Sequence, residues 1–192
     1  MLALAISVGV MSVMSNHTYK VGDIIYQQTE GGAIGLVLTT AVNRPFMFRW
    51  DRMYLDRVRK AGVKMVVYER YVDDSNQIAK VPPPGSVYDT ETRKVVQSLD
   101  FPDTRNDDQR LAEVLKEIAN EVMPGVVVME EDVPSRNHDG KLAILDMKVW
   151  MGEGEYILHQ HYEKDVASKK VLTASSAQSA SCKQSVHTQE LV

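Results

Sequence analysis

The chain has 192 residues, of which 44% are hydrophobic and 25% charged, and its 22 basic and 26 acidic side chains nearly balance. This composition is typical of a globular domain and excludes a disordered chain, a collagen-like repeat and a polytopic membrane protein. The single cysteine, Cys182, excludes an internal disulfide and a cysteine zinc cluster. We therefore expect an intracellular protein of the cytoplasm or nucleus that is not secreted.

Charge is distributed unevenly along the chain. Residues 44–70 carry eight basic and three acidic side chains, whereas residues 95–163 carry six basic and fifteen acidic ones. A basic region of this kind can bind a polyanion on one face even though the net charge is −4.

The apolar segment 1–14 predicts a first helix. It lacks the basic residues that precede the apolar run of a signal peptide and the small-residue cleavage site that follows one. At about fourteen residues it is also too short to cross a bilayer. We interpret it as a buried helix, with a secretion signal as the alternative, and we expect no membrane partner.

Two elements are predicted next. Residues 19–28 have an extended pattern, which a glycine pair ends. Apolar residues then recur near every 3.6 positions across residues 33–60 and predict a long helix. Pro45 is expected to kink or restart this helix, and Gly62 to end it.

The strand pattern of residues 63–72 leads directly into Asp73 and Asp74, and residues 77–81 are the expected return strand of a hairpin. The two carboxylates then project from the turn toward one point outside the sheet. Hard oxygen ligands of this kind suit Mg2+, which shares its coordination shell with substrate phosphates. The alternative is that an Asp-Asp pair simply suits a tight turn.

Residues 86–106 are expected to form a loop or insertion. The clearest helix of the sequence covers residues 107–123, where five apolar side chains form one stripe. Asp107 and Asp108 favour the positive start of that helix, and we interpret them as helix-start residues rather than a second metal site.

A strand is predicted over residues 126–131, and residues 142–150 and 156–162 are predicted to pair as a second hairpin. Helices mixed with hairpins indicate an α+β architecture, with an antiparallel sheet and helices packed on one face. Residues 173–192 form a polar tail.

Several other side chains have competing interpretations. Trp50 and Trp150 are predicted to anchor the core. His159 and His161 alternate on a strand and could bind zinc, but no third ligand is evident, so ordinary surface or packing roles are favoured. Cys182 has no activating neighbour in the polar tail and is predicted to be inert.

Four segments follow one another in an order that resembles the palm of a reverse transcriptase. A glycine-rich turn, QTEGGAIG at residues 28–35, opens the long helix, and the next strand ends in YVDD at residues 71–74. DGKLAILD at residues 139–146 and HYEK at residues 161–164 follow downstream. The order and the motifs are most similar to those of Penelope-like retroelement enzymes.

The resemblance implies an RNA-directed DNA polymerase that uses two-metal chemistry with Mg2+, for which Mn2+ can substitute. Its partners would be an RNA or DNA template with a primer, and deoxynucleoside triphosphates. Residues 1–172 would form a partial palm, and residues 173–192 would begin a thumb or connection region. The first catalytic aspartate, the fingers and the thumb are expected outside this chain, so the chain alone is expected not to extend a primer.

Roles for individual residues also come from the resemblance. Asp73 and Asp74 would be the catalytic metal ligands, and Lys164 would support the primer, although Glu163 and Asp165 replace the family's arginine and proline beside it. Five further residues would line the nucleotide and template side: Gln28, Gly31, Gly32, Tyr71 and Val72. The alternative function is a non-catalytic domesticated or decayed retroelement remnant that keeps the palm fold and binds nucleic acid or a partner.

Overall fold

A computed structural model of the protein describes residues 2–28, 37–98, 102–154 and 156–162. Its helices and short antiparallel sheets make an α+β fold, as the sequence predicts. The expected pairing of hairpins within one antiparallel sheet is wrong, because the described strands form four separate small sheets. No helix among the described residues is both long and apolar enough to cross a membrane.

The chain divides into two compact units, of which the first spans Met1–Arg136. It begins with helix α1 (Leu2–Met14), followed by the antiparallel strands β1 (Thr18–Val21) and β2 (Ile24–Gln27). Residues 19–28 are therefore largely extended, as predicted, but they contribute to a hairpin rather than to a single strand.

Helix α1 confirms the predicted helix, but the prediction that it is buried is wrong. Its side chains Ile6, Val8 and Met11 are all more than half exposed, at 57%, 59% and 68%. Apolar composition indicates a preference for burial, whereas burial itself needs a partner surface. The core of this unit is formed by other elements.

Helix α2 (Val37–Lys60) continues through Pro45 without a restart, and the left-handed backbone of Gly62 (φ 91°) follows its end as predicted. Strands β3 (Met65–Tyr71) and β4 (Asp74–Ala79) then form an antiparallel hairpin. The return strand begins three residues earlier than the sequence predicts, since Asp74 already pairs with the last residue of β3.

Two predictions for the following segment are wrong. The expected loop contains a hairpin of β5 (Ser86–Asp89) and β6 (Lys94–Gln97), whose turn is fixed by hydrogen bonds from the backbone N–H groups of Glu91 and Thr92 to the Asp89 carboxylate. The strand expected over residues 126–131 is irregular backbone.

A side chain accounts for the missing strand. The Asn120 side-chain amide donates to the Met129 carbonyl at 3.2 Å, and the Asn120 side-chain oxygen accepts from the Met129 N–H at 2.6 Å. The segment therefore satisfies its backbone groups on helix α3 (Asp107–Val122) instead of on a neighbouring strand. That helix begins after Asn106, whose N–H donates to the Gln109 side chain at 3.3 Å, so the predicted helix start is confirmed.

The core of the first unit is formed mainly by α2 and α3, and one face of each helix supplies its buried side chains. Trp50 is fully buried and stacks on Tyr54 at 5.0 Å between ring centroids, which confirms its predicted core role. The buried hydrophobic residues of the cluster are Trp50, Tyr54, Val58, Ala61, Val63, Tyr88, Val114, Leu115, Ile118, Ala119 and Val122.

The second unit spans Asn137–Val192, and its described part holds a three-stranded antiparallel sheet. The strands are β7 (Leu142–Ile144), β8 (Met147–Met151) and β9 (Ile157–His161). The predicted pairing of β8 with β9 is confirmed. The first arm of the predicted hairpin is split into two strands, because the backbone turns at Leu145, where φ is 53°.

Trp150 does not belong to the buried core, so that prediction is wrong. It is half-buried on the three-stranded sheet, where the Lys141 ammonium lies 4.1 Å from its ring centroid. His159 and His161 are exposed and alternate along β9, which places them on one face of the sheet. Lys164, Cys182 and the polar tail lie outside the described residues.

Candidate functional site

The Asp73–Asp74 pair lies at the tip of the β3–β4 hairpin. Tyr71 pairs with Asp74 across the hairpin, so Val72 and Asp73 form a two-residue turn. Both carboxylate-bearing residues are exposed to solvent. The predicted hairpin with two accessible carboxylates at its turn is confirmed, and its role as a metal site stays a prediction.

The turn has a strained backbone at its first position. Val72 has a φ of 58°, which is in the left-handed region that β-branched residues rarely adopt. Hairpin turns with a positive φ at this position normally carry glycine. Such a conformation costs on the order of 1–3 kcal/mol and persists only where the surrounding structure holds it.

Arg70 links the turn to helix α2. Its guanidinium donates one hydrogen bond to the backbone carbonyl of Val72. It also donates to both carboxylate oxygens of Asp51, from Nε at 2.8 and 3.1 Å and from Nη2 at 2.9 Å. The side chains of Arg70 and Asp51 are only 16% and 17% exposed. A largely buried ion pair therefore fixes the position of the turn backbone.

Tyr68 completes this arrangement by donating its hydroxyl proton to Asp51 at 2.6 Å. Burial and the adjacent Asp51 carboxylate raise the pKa of Tyr68, so it remains a neutral donor at physiological pH. The hydrogen bond to Asp51 raises the pKa of Arg70. We call Asp51, Tyr68 and Arg70 the turn anchor.

The other strand of the hairpin is attached to α2 as well. The Tyr54 hydroxyl donates to the Gln77 side-chain oxygen at 2.6 Å, and the Gln77 amide donates to the Ser75 hydroxyl at 2.9 Å. Burial raises the pKa of Tyr54. Both strands beside the carboxylates are therefore hydrogen-bonded, directly or through Arg70, to one rigid helix.

Sequence reasoning missed the turn anchor, although one signal was present. Asp51 lies on the same helical face as the buried residues Trp50, Tyr54 and Val58. A carboxylate on a buried face needs a partner, because an unpaired buried charge is strongly destabilising. The sequence alone gives no way to choose Arg70 as that partner.

The other residues of the predicted site fall into two groups. Tyr71 and Val72 flank the carboxylates and are 61% and 67% exposed. Gln28 follows β2, and its N–H donates to the His17 carbonyl at 2.8 Å. Gly31, Gly32 and Lys164 lie outside the described residues.

The turn supplies two carboxylates, which are fewer ligands than an all-protein metal site needs. Asp73 and Asp74 offer exposed, hard oxygen ligands. Within the part of the chain that the structure describes, no group of three or more His, Cys, Asp or Glu side chains is placed to hold a metal ion. Mg2+ is usually held by one or two carboxylates together with waters and substrate phosphates, which is what this pair can offer.

The second Asp-Asp pair differs from the first in how its oxygens are used. Asp107 forms an ion pair with the buried Arg110. Asp108 accepts from the backbone N–H groups of Gln109 at 2.9 Å and Ser135 at 2.8 Å. Both residues lie in the first turn of α3, as predicted. The bond from Ser135 to Asp108 also attaches a neighbouring segment to this helix.

Fold and site together define an α+β chain with two exposed carboxylates on an anchored hairpin turn. Comparison with models of protein families, with curated proteins and with solved structures found no match to this chain. The function proposed below therefore depends on the residues and their arrangement.

Proposed function

We propose that this chain is the palm module of a retroelement reverse transcriptase, an RNA-directed DNA polymerase in which Asp73 and Asp74 are metal ligands. The observation that carries the proposal is the β3–β4 turn. It presents two solvent-exposed carboxylates on a strained backbone that a largely buried ion pair fixes to a helix. The order of the sequence motifs that resembles reverse transcriptases supports the same function.

The chain's own residues would act by position and charge. Asp73 and Asp74 would hold the metal, and Arg70 would keep the turn in place through the Val72 carbonyl. When bound, Mg2+ or Mn2+ activates an attacking hydroxyl and stabilises a leaving oxygen. The resemblance implies that Tyr71 and Val72 would lie against the primer terminus and the incoming triphosphate, and both residues are exposed beside the carboxylates.

Manganese binding by the chain tests the site directly. Titration followed by the electron paramagnetic resonance of free Mn2+ should show weak binding, because two carboxylates leave most of the coordination shell to water. Replacing Asp73 and Asp74 together by Asn should remove most of this binding.

The other Asp-Asp pair gives a matched control. Replacing Asp107 and Asp108 together by Asn removes the same charge from another pair of adjacent aspartates, and it should leave Mn2+ binding nearly unchanged. Equal binding by the wild type and the turn variant would contradict the metal site.

Catalysis is tested in the longest natural polypeptide that contains this chain, by extension of a primer on an RNA template. Asp73→Ala should reduce the rate about a thousandfold or more, because positioned charge contributes several kcal/mol to such steps. A folded polypeptide that binds the template and primer but never extends the primer would instead support the alternative, a non-catalytic remnant that binds nucleic acid.

A further inference from the structure

Helix α2 has a second face that the proposed site does not use. Trp50, Tyr54 and Val58 face the core, and the opposite side of the helix is exposed. Four exposed residues on that side form what we call the arginine stripe: Arg44, Phe48, Arg49 and Arg52.

The stripe follows from helical spacing. Arg44, Phe48 and Arg52 are four residues apart, so they align along one side of the helix. The Phe48 ring is 62% exposed, and the Arg52 guanidinium lies 6.0 Å from its centroid. The exposed ring therefore places an aromatic surface directly beside positive charge.

The three arginines of the stripe differ from the other arginines of α2 in their partners. Among the described residues, none of them forms an ion pair with an acidic side chain. The other two arginines of this helix do, since Arg57 pairs with Glu121 at 3.0 Å and Arg59 with Asp56 at 2.7 Å. As far as the described part of the chain extends, no acidic side chain competes with an external anion for the guanidinium groups of the stripe.

We propose that the arginine stripe binds single-stranded nucleic acid. Guanidinium groups bind phosphate oxygens, and exposed aromatic rings stack on bases. At about 1.5 Å per helical residue, Arg44 and Arg52 lie about 12 Å apart along the axis, so a strand laid on the stripe meets it over a few nucleotides. None of the four residues is one of the proposed metal ligands, and binding to this surface does not depend on a metal at Asp73 and Asp74.

A lipid surface fits the stripe less well. A helix that lies on a membrane presents a broad apolar face to the lipid and its charges to water. In α2 the apolar face is occupied by the core of the unit. Phe48 is then the one large apolar side chain among the four residues of the stripe, which suits base stacking.

Fluorescence anisotropy of a labelled single-stranded RNA of about 20 nucleotides, titrated with the whole chain, tests the proposal. Three phosphate contacts on a single strand predict about 20-fold weaker binding when KCl rises from about 50 to about 200 mM. Replacing Arg44, Arg49 and Arg52 together by Gln should weaken binding at least tenfold at low salt and remove most of the salt dependence. Phe48→Ala should weaken binding roughly fivefold and leave the salt dependence intact.

A control variant loses three positive charges outside the stripe. In this variant Gln replaces three exposed lysines that form no ion pair among the described residues, Lys64, Lys80 and Lys94. This variant should bind RNA within about twofold of the wild type, and circular dichroism should show each variant folded. An equal loss in the lysine variant, or salt-independent binding, would overturn the proposal.

Two further measurements distinguish the stripe from the metal site and from a lipid-binding surface. Removing divalent ions with EDTA should leave RNA binding intact, so failure of the metal site and failure of the stripe are distinguishable. Flotation with phosphatidylserine vesicles should show weaker binding than RNA at equal salt. If the chain binds the vesicles more tightly than RNA, and the stripe arginines are required for that binding, the surface recognises lipid. That result would contradict the proposal.

Discussion

The turn anchor makes one strong prediction, that Asp51→Ala destabilises the first unit. The substitution leaves the Arg70 guanidinium without its counter-ion and the Tyr68 hydroxyl without its acceptor. Removing one partner from a fully buried ion pair costs about 3–5 kcal/mol. Because the Arg70 side chain is 16% exposed, water can replace part of the lost interaction. We therefore expect a loss of about 2–4 kcal/mol in the free energy of unfolding.

Urea unfolding followed by circular dichroism measures this loss, and α2 supplies the control. Asp56 is a carboxylate on the same helix, but its side chain is 42% exposed and pairs with Arg59 and Lys60 in solvent. Asp56→Ala should leave the unfolding midpoint nearly unchanged, because exposed ion pairs contribute little.

A double-mutant cycle tests whether Asp51 acts through Arg70. Asp51→Ala and Arg70→Met should together cost less than the sum of the single variants, by about 1–3 kcal/mol. Mn2+ binding should also weaken in each single variant, because the turn backbone loses its attachment. An Asp51→Ala variant no less stable than Asp56→Ala, or strict additivity in the cycle, would refute this account of the anchor.

Three further predictions concern the turn, the core and pH. Val72→Gly should stabilise the chain by up to about 1 kcal/mol in urea unfolding, because glycine adopts the positive φ without strain. Ile118→Ala should cost about 2–5 kcal/mol in the same assay, because Ile118 is fully buried between the helices. Asp103→Asn should flatten the acid dependence of the unfolding midpoint, because the Arg105 guanidinium lowers the pKa of Asp103.

The sign of the pH effect follows from the direction of that shift. A lowered pKa in the folded state stabilises the chain above the unfolded value of about 3.9, and the stabilisation is lost as the pH falls through the folded value. The wild type should therefore lose stability below about pH 4 more steeply than the variant. Equal acid slopes would contradict the role of Asp103, and a Val72→Gly variant less stable than the wild type would contradict the strain at the turn.

Local patterns predicted the elements that local interactions determine. The apolar stripe of α3 and the strand–turn–strand pattern around Asp73 were sufficient, because each depends on residues near in sequence. The run of valines at residues 126–128 predicted a strand. Instead, the Asn120 side chain forms hydrogen bonds with the backbone of Met129. The periodicity of a sequence cannot show such a contact. The β5–β6 hairpin was missed because its turn depends on the Asp89 carboxylate, which a strand pattern does not register.

The residues of the candidate site also differ in whether the sequence could predict them. Its carboxylates could be found from sequence because they are adjacent and follow a strand. Its anchor could not, because Asp51 and Arg70 are 19 residues apart and meet only after α2 packs against the hairpin. The exposure of α1 could not be predicted either. Apolar composition indicates a preference for burial, but it does not show whether a partner surface is present.

The two proposed functions differ in what they require of the turn. If the hairpin served the fold alone, glycine at position 72 would suit its backbone better than valine, and adjacent carboxylates at the tip would add only repulsion. The turn has both unfavourable features, and a largely buried ion pair holds it in place. Strain retained in this way is common where a structure fixes reacting groups. If the chain is a polymerase palm, Val72→Gly should therefore raise the stability of the chain and lower its affinity for Mn2+. If the chain is a non-catalytic remnant, the same substitution should raise the stability alone.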